Sequence, residues 1–363
     1  MIRVAMILRS TAATVKGGDI VQAYETARQL SLLGINTDIK MTDEQIDYDS
    51  YDLLHFFNIT RPADILFHTG RTDKPYVVST ILVDYSEYDR YHRKGLSGLV
   101  FRFLKADTIE YLKTIARKIK GNDKLMSNSY VWSGQKRSVQ KVLQRSALIL
   151  PNSVSEYKRL AAGYNYNKEY MVVPNGVDPV LFNYNEENAK DDLLVICAAR
   201  TEGIKNQLNL IRALNNTEFK LLLIGDPAPN QAAYANECRG IAAKNISFKG
   251  HLKKEELILY YRKAKVHVLP SWFETTGLSS LEAAAMGCNI VVADRGDVRE
   301  YFGNDAFYCD PASPESIYNA VKKASSSPGN ESLRNRIANE FTWQQAGKRT
   351  AEAYKKILTG PCN

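Results

Sequence analysis

Two carboxylates, Glu274 and Glu282, stand eight positions apart in PSWFETTGLSSLEAAAMG, residues 270–287. The apolar run VHVLP leads into this stretch, and a helix is predicted to begin near Ser279. Glu274 is therefore expected on the connecting loop and Glu282 in the first helical turn, so the two acids do not share a helical face. Gly277 lies beside the helix start, where free N–H groups and the helix dipole favour a phosphate. The pattern indicates an anion site flanked by two acids.

A second interpretation of the same stretch is purely structural. Ser279 and Glu282 have the S-x-x-E spacing of a capping box, in which Glu282 bonds only the backbone at the helix start. That interpretation leaves Glu274, Gly277 and the following run of small residues unexplained. Both remain open on the sequence alone.

Two cations strengthen the anion interpretation. In AARTEGIKN, Arg200 ends a predicted strand and Lys205 begins the following helix. Ligands of open parallel sheets bind beyond the carboxyl ends of the strands, so both cations are expected at the ligand-binding edge. Each cation alone also fits a surface salt bridge. Together they can hold a diphosphate and stabilise the charge that grows on it as a leaving group.

The elements around these residues predict two doubly wound α/β domains that face each other across a cleft. Strand and helix patterns alternate in both halves, which favours parallel sheets. We place the first domain at residues 1–176 and the second at 177–341, with a polar linker at 177–192 and a last helix, 342–358, that packs back on the first domain. A Gly17-Gly18 loop follows the first strand.

Length and composition agree with this division. The chain has 363 residues, more than one core usually supports, with 44% hydrophobic residues, 24% charged residues and a mean hydropathy of −0.33. No signal-type segment is visible, nor any run near the roughly 18 apolar residues of a spanning helix, so a cytoplasmic location is expected. Five widely spaced cysteines predict reduced thiols.

Positive charge is concentrated in one segment. Residues 90–145 carry a net charge of +11, whereas the whole chain carries +8. Within them, residues 95–121 read as amphipathic helices with a basic face. This face predicts either contact with an anionic membrane surface, at the cytoplasmic side, or an ordinary solvated surface. Nucleic-acid binding is not predicted, because no module for it is recognisable.

Three segments carry a family resemblance. AAR-xxxx-KN, SFKGHL with the YYRKA helix, and PSWFETTGLSSLEAAAMGCNIVVAD with Glu300 resemble the carboxyl-terminal domain of glycosyltransferase family 4, over about residues 145–345. That family has the GT-B fold and retains anomeric configuration. Its hallmark is a pair of glutamates separated by seven residues, here Glu274 and Glu282.

The resemblance implies a role for each candidate residue. Glu274 would contact hydroxyls of the donor sugar, and Glu282 the ribose of the nucleotide. The remaining implied donor contacts are Arg200 and Lys205 at the diphosphate, the backbone of Thr276, Gly277 and Leu278 at sugar and phosphate, Gly17 and Gly18 over the diphosphate, and Gly250 and His251 near the base.

One part of the family pattern is missing. Many members carry a catalytic histidine just after the strand corresponding to YVVSTIL, and residues 79–84 contain none. His55 and Asp84 are the acceptor-side candidates, although a histidine within a strand is more often structural. The pair Asp47 and Asp49 imitates a metal motif of another glycosyltransferase fold, but turn chemistry explains it, and no metal or other cofactor is expected.

The predicted function is the retaining transfer of a hexose-like sugar from a nucleotide sugar, such as a UDP- or GDP-sugar, to a glycan or lipid-linked acceptor in cell-surface polysaccharide or glycoconjugate synthesis. Two alternatives are a nucleotide-sugar epimerase of the same fold and a non-catalytic sugar-nucleotide-binding protein.

Overall fold

The chain folds into two compact units in a computed structural model that describes residues 2–13, 17–93, 96–119, 121, 124–184 and 189–359, with only the backbone at residues 96 and 97. Unit 1 consists of the chain up to Val83, of Phe103–Asn175 and of the chain from Trp343 onward. Unit 2 takes Asp84–Arg102 and Gly176–Thr342.

Unit 1 is a five-stranded parallel sheet of order β2-β1-β3-β4-β5 with helices around it. Its strands are buried and apolar except for β2 at the sheet edge. Its elements are β1 Arg3–Leu8, α1 Gly18–Leu32, β2 Asn36–Met41, β3 Leu53–Phe57, α2 Pro62–Thr69, β4 Tyr76–Ser79, α4 Ala106–Ile119, α5 Asn128–Arg145, β5 Leu148–Leu150, α6 Val154–Tyr164 and α14 Trp343–Thr359.

Unit 2 is a six-stranded parallel sheet of order β11-β10-β9-β6-β7-β8. Its elements are α3 Leu96–Phe101, β6 Asp191–Ala198, α7 Gln207–Leu214, β7 Lys220–Ile224, α8 Ala232–Ile241, β8 Ile246–Lys249, α9 Lys254–Lys263, β9 Ala264–Leu269, α10 Leu278–Ala285, β10 Asn289–Ala293, α11 Val298–Phe302, β11 Phe307–Cys309, α12 Pro314–Ser326 and α13 Glu331–Glu340. The predicted alternation of strands and helices is confirmed. The parallel sheets of a doubly wound α/β fold, which that alternation implies, are confirmed as well.

The order of strands in unit 2 locates its ligand edge. The chain runs from β6 outward to β7 and β8, then returns to β9 on the other side of β6. β6 and β9 are therefore hydrogen-bonded neighbours whose connections leave in opposite directions. Such a switch point opens a crevice at the carboxyl ends of the two strands. The loops that begin after Ala198 and after Leu269 meet there.

The predicted linker at 177–192 is wrong. Val177 and Phe182 are buried in the core of unit 2, and Val177 also forms a backbone bridge with Thr342. The segment is polar and has no periodicity, so its sequence resembles a linker. Two of its apolar residues nevertheless pack against the core that the rest of unit 2 forms. Residues 185–188 of this segment lie outside the described residues.

A second difference concerns residues 84–102. The sequence places them in the first domain, whereas in the structure they pack as part of unit 2. The predicted amphipathic segment 95–121 is thus divided, with α3 in unit 2 and α4 in unit 1. The last helix, α14, belongs to unit 1 and packs on α1, where Gly347 gives room to Gln29.

Two further observations bear on the sequence predictions. The four cysteines of the described chain, Cys197, Cys238, Cys288 and Cys309, are buried free thiols, and Cys362 lies outside the described residues. Across the part of the chain that the structure describes, every helix is too short or too polar to cross a lipid bilayer.

Candidate active site

Lys205 and Glu274 meet at the switch point of unit 2. Lys205 Nζ donates to Glu274 Oε1 over 2.5 Å, and the carboxylate is buried. The lysine comes from a short helical turn, Gly203–Lys205, in the loop after β6, and the glutamate from the loop after β9. Ser271 Oγ donates to the same carboxylate oxygen over 2.7 Å. The sequence predicted that both residues contact a ligand, and the structure adds that they form an ion pair with each other.

Asn206 ties the two loops together beneath this pair. Its side-chain amide donates to Pro270 O over 3.1 Å and to Pro311 O over 2.7 Å, so it links the connections after β6, β9 and β11. Asn206 itself has φ 60°, a left-handed conformation that asparagine tolerates better than most residues. This residue therefore sets the position of Lys205 relative to the loop of Glu274.

The backbone of Glu274 is held from the other side by the loop after β10. Asp297 N–H donates to Glu274 O over 2.8 Å. Gly296 has φ +76°, and a Cβ there would lie 2.0 Å from Glu274 O, so this close approach requires glycine. Glu274 is thus anchored at its carboxylate and at its carbonyl.

The helix that follows, α10, begins one residue earlier than the sequence suggested. Gly277 occupies the N-cap position with φ +72°, and this residue has no side chain with which to cap the helix end. Ser279 therefore lies inside the helix, and the predicted capping box with Glu282 does not form. Leu278 is the first helical residue, so the start of α10 presents backbone N–H groups next to a residue with no side chain.

Glu282 lies in the second turn of α10 rather than the first. Tyr261 Oη donates to Glu282 Oε2 over 3.3 Å, and the glutamate is partly exposed. Thr276 is buried, and its Oγ1 donates to Tyr301 Oη over 3.2 Å. Its backbone, with those of Gly277 and Leu278, forms the turn between Glu274 and Glu282.

Arg200 does not join the Lys205 and Glu274 pair. Its Nη2 donates to Glu202 Oε1 over 3.0 Å in an exposed ion pair, while Gln207 Nε2 donates to Arg200 O over 2.8 Å. The residue does lie at the carboxyl end of β6, on the same edge of the sheet as Lys205. An exposed ion pair contributes little to stability, so a ligand phosphate can replace Glu202 at small cost.

Gly250 and His251 follow β8, two strands away from β6 on the same edge of the sheet. His251 N–H donates to Asp226 Oδ1 over 3.1 Å, and the histidine is exposed. A Cβ at Gly250 would come within 3.0 Å of that same carboxylate oxygen. This turn is therefore held by a carboxylate that the sequence analysis did not single out.

Gly17 and Gly18 belong to unit 1. Gly17 precedes α1 as its N-cap, and a Cβ there would lie 2.5 Å from Asp19 Oδ1. Asp19 in turn accepts from Arg9 Nε over 2.8 Å. Gly17 and Gly18 follow β1 in the chain, and β1 and β3 are the two neighbouring strands at the switch point of this sheet.

His55 does not fit the acceptor-side role. It lies within β3, is 1% exposed, and both ring nitrogens have partners: Nδ1 lies 2.6 Å from Tyr354 Oη and Nε2 lies 2.8 Å from Ser79 Oγ. Burial lowers the pKa of His55 to about 3. The side chain is a neutral structural histidine, because it sits in the middle of a strand and not beyond the strand end.

Asp84, the other acceptor-side candidate, lies in unit 2 and not in the predicted first domain. It is exposed, and its Oδ1 accepts from Ser86 N–H over 2.8 Å, a contact typical of a turn.

Several residues of the site were missed by the sequence analysis. Ser271, Asn206, Gly296 and Tyr261 each hold a predicted residue in place. Asn206 stands directly after Lys205 and was quoted in the motif, so its position was the available signal. Ser271 lies in the same loop as Glu274, three residues before it, so its position was a signal of the same kind. Gly296 and Tyr261 act from other parts of the chain, and only the folded unit shows their role.

Metal ligands in proteins are mostly acidic, histidine and cysteine side chains that lie close together. Among the described residues, no three of them lie close enough together to hold an ion. Asp47 and Asp49 lie at a short helical turn, where Asp47 Oδ2 accepts from Ser50 Oγ over 2.6 Å.

A parallel sheet of this order, with an ion pair and a glycine-started helix at its switch point, defines a doubly wound, Rossmann-like class of domain. Residues 182–342 match the family model described as glycosyl transferases group 1. The resemblance to group 1 glycosyltransferases is confirmed over these residues.

Among curated proteins, the chain is similar to a glycogen synthase of Mycobacterium tuberculosis, with 32% identity over 205 residues. The matched part covers 53% of this chain and 50% of that protein. The chain thus spans about half the length of the curated relatives it matches.

Two solved structures share the fold over nearly the whole chain. Sucrose-phosphate synthase from Thermosynechococcus elongatus superposes with a TM-score of 0.79 at 15% identity, covering 99% of this chain and 100% of that one. HepE of Anabaena, in complex with UDP-glucose, gives a TM-score of 0.70 at 13% identity, covering 98% and 100%. The predicted GT-B fold is therefore confirmed.

Proposed function

We propose that this protein is a retaining glycosyltransferase that moves a hexose-like sugar from a nucleoside-diphosphate sugar to a glycan or lipid-linked acceptor in cell-surface polysaccharide or glycoconjugate synthesis. The observation that carries the proposal is the Lys205 and Glu274 ion pair beside the uncapped start of α10, at the switch point of a group 1 glycosyltransferase domain.

The charges of the site fit a departing diphosphate. When the bond between the sugar and the diphosphate breaks, negative charge grows on the phosphate oxygens. A lysine ammonium, the arginine at the end of β6 and the positive end of α10 stabilise that charge more in the transition state than in the ground state. We assign Lys205 and Arg200 to the diphosphate, and we assign no metal to this step.

The two glutamates then serve as positioning groups. Glu274 accepts from Lys205 and Ser271 on one oxygen, which leaves its other oxygen to accept from sugar hydroxyls. Glu282 lies further along the chain, in the second turn of α10, and we assign its carboxylate to the ribose hydroxyls. The Thr276, Gly277 and Leu278 backbone between them faces sugar and phosphate in this proposal.

Gly250 and His251 border the base in the same proposal. A UDP-sugar is the first donor to test, because HepE was solved with UDP-glucose.

The test is a thermal-shift screen of UDP-, GDP- and ADP-sugars, followed by a transfer assay with the donor that binds. We expect one class of nucleotide sugar to raise the melting temperature and to release its nucleoside diphosphate when an acceptor is present. Sugar isomerisation without acceptor would identify an epimerase instead. Binding without turnover, across glycan and lipid-linked acceptors, would identify a non-catalytic binder.

We also propose that unit 1 contacts an anionic membrane surface at the cytoplasmic side, where a lipid-linked acceptor is presented. Large apolar side chains on and beside α4 and α5 are strongly exposed: Phe103 at 86%, Ile119 at 80% and Trp132 at 88%. Arg117, Lys118 and Lys124 line a surface pocket next to them with Arg61. Apolar side chains beside a basic pocket fit the boundary between acyl chains and anionic headgroups.

Vesicle flotation tests this surface. Neutralising Lys113, Arg117 and Lys118, together with Lys120, which lies outside the described residues, is expected to reduce binding to vesicles containing phosphatidylglycerol. Binding should also fall with rising salt, because the attraction is electrostatic. Equal flotation of the variant and the unchanged protein would refute the membrane proposal and leave the transferase proposal untouched.

A further inference from the structure

We propose that residues 85–93, here called the strap, hold the loops of the candidate active site in place, and that His92 is a positioning residue for the loop of Glu274. The strap packs within unit 2, although unit 1 precedes it in the chain. It contacts the loops that follow β6, β9 and β10, three strands that are neighbours in the sheet. The inference depends on the proposed function in one respect, because it takes the edge of the sheet at the carboxyl ends of these strands as the donor site.

The first contact is a stack of two rings. His92 lies parallel to Trp272, with ring centroids 3.5 Å apart and planes 15° apart. Trp272 is buried and stands two residues before Glu274. The backbone N–H of Trp272 also donates to Ile204 O over 2.8 Å, next to Lys205. The imidazole therefore rests on the residue that connects the loop of Glu274 with the turn of Lys205.

The second contact, between Tyr88 and the turn of Lys205, explains why residue 203 is a glycine. A Cβ at Gly203 would lie 1.7 Å from Tyr88 Oη and 2.4 Å from its Cζ. Gly203 does not have a positive φ, so its backbone conformation suits any residue. Glycine is needed there because the Tyr88 ring occupies the space of a side chain. The turn that carries Lys205 is thus built to receive the strap.

The third contact is an ion pair on the far side of the site. Arg295 Nε lies 3.2 Å from Glu87 Oε2, and both side chains are partly exposed. Such a pair contributes little energy by itself, but it fixes the strap to the loop after β10. That loop also contains Gly296, which packs on the carbonyl of Glu274.

The strap has an ordered interior of its own. Asp89 is 1% exposed and accepts from Arg93 Nε over 2.7 Å, and the Arg93 guanidinium lies over the rings of Tyr88 and Phe101. Site residues carried by loops need such a supporting layer to keep their geometry. Stacked aromatic pairs of this kind correspond to about a two- to tenfold effect on an equilibrium.

Hydrogen exchange and kinetics of three variants test the inference. In His92→Ala, the backbone amides within residues 270–277, all but Pro270, are expected to exchange faster. The KM for the donor is expected to rise about two- to tenfold with a smaller change in kcat. His92→Phe keeps an aromatic ring on Trp272 and is expected to restore both values. Tyr91→Ala is the matched control, because Tyr91 is in the same strap but 62% exposed.

A second pair of variants tests the contact at Gly203. Gly203→Ala is expected to displace Tyr88 and to reproduce the effect of His92→Ala. Adding Tyr88→Ala removes the collision, and the double variant is expected to exchange more slowly at residues 270–277 than Gly203→Ala alone.

Unchanged exchange at residues 270–277 in His92→Ala would overturn the inference, whatever the protein binds. If the unchanged protein binds no nucleotide sugar in the screen, the proposed function fails, while the exchange measurement still decides the role of the strap. If donor binding is normal and the KM of His92→Ala matches that of Tyr91→Ala, the inference fails and the proposed function stands.

Discussion

Lys205 Nζ and Glu274 Oε1 are 2.5 Å apart, and this contact joins the loops that follow two hydrogen-bonded strands, β6 and β9. The ion pair holds both side chains at one point of this edge of the sheet. A diphosphate that binds Lys205 would share the lysine ammonium group with the carboxylate of Glu274. The pair therefore orients the lysine before the donor arrives, which lowers the cost of ordering it on binding.

Lys205→Ala is expected to lower kcat/KM by about 10²- to 10³-fold, because it removes a positive charge from the site where the leaving group develops negative charge. Steady-state kinetics with the donor found by screening measures this effect. Lys220→Ala is the matched control, since Lys220 is exposed at the start of β7, away from the ligand edge. A loss below threefold in Lys205→Ala would remove this residue from the diphosphate site.

Glu282→Ala is expected to weaken donor affinity at least about tenfold, because a carboxylate bonded to ribose hydroxyls is lost. Tyr261→Phe removes only the hydrogen bond that orients Glu282, and a loss of about two- to tenfold is expected. Isothermal titration with the donor and with the free nucleotide compares the two variants. Glu255→Ala, an exposed glutamate at the start of α9, should bind as the unchanged protein does. Equal affinity of Glu282→Ala would contradict the ribose assignment.

Gly296→Ala is expected to destabilise the protein by at least about 2 kcal/mol, since φ +76° disfavours alanine and the new Cβ would meet the carbonyl of Glu274. Urea denaturation followed by circular dichroism measures the change. Gly240→Ala provides the comparison, because Gly240 lies in α8 with open space around it. That substitution should be neutral or stabilise by about 0.5 to 1 kcal/mol. Similar midpoints for the two variants would show that the close approach at Gly296 is not maintained in solution.

Three buried histidines are expected not to titrate between pH 5 and 8. Burial lowers the pKa of His55 and of His267 to about 3, and burial with a smaller effect from Arg71 lowers that of His68 to about 4. In the unfolded chain, histidine takes up a proton near pH 6.5. The unfolded state therefore binds more protons as the pH falls from 6.5 toward 4, and stability decreases by up to about 1.4 kcal/mol per pH unit for each.

Histidine ring signals in NMR spectra, recorded from pH 8 to 5, check this prediction. His251 provides the reference signal, because its side chain is exposed. Movement of the His55 signal with a midpoint near 6.5 would mean that this side chain reaches water, and the acceptor-side role would have to be considered again.

Much of the fold was readable from the chain because its signals are local. Each buried strand is a short apolar run, and each helix has its own periodicity, so strands such as LLVICA and KLLLI are visible without their neighbours. The site edge followed from the same reasoning. Arg200, Lys205 and Glu274 stand just after such runs, and parallel strands end at one edge of a sheet.

Errors arose wherever a segment depends on a partner far away in the chain. The segment 177–192 looked like a linker because Val177 and Phe182 have no pattern of their own, and they become core residues only against unit 2. The strap was assigned to the wrong unit for the same reason. His55 looked available because its partners, Tyr354 and Ser79, come from α14 and β4.

The chain by itself determined two parallel α/β units and the side chains that stand at the carboxyl end of each strand, because both depend on spacing within short segments. Tertiary structure alone decided that Lys205 meets Glu274, that Asn206 and Gly296 hold their loops, and that His92 rests on Trp272. Those contacts join residues about 20 to 180 positions apart in the chain. No local pattern encodes them, since they exist only when the sheet order brings the loops together.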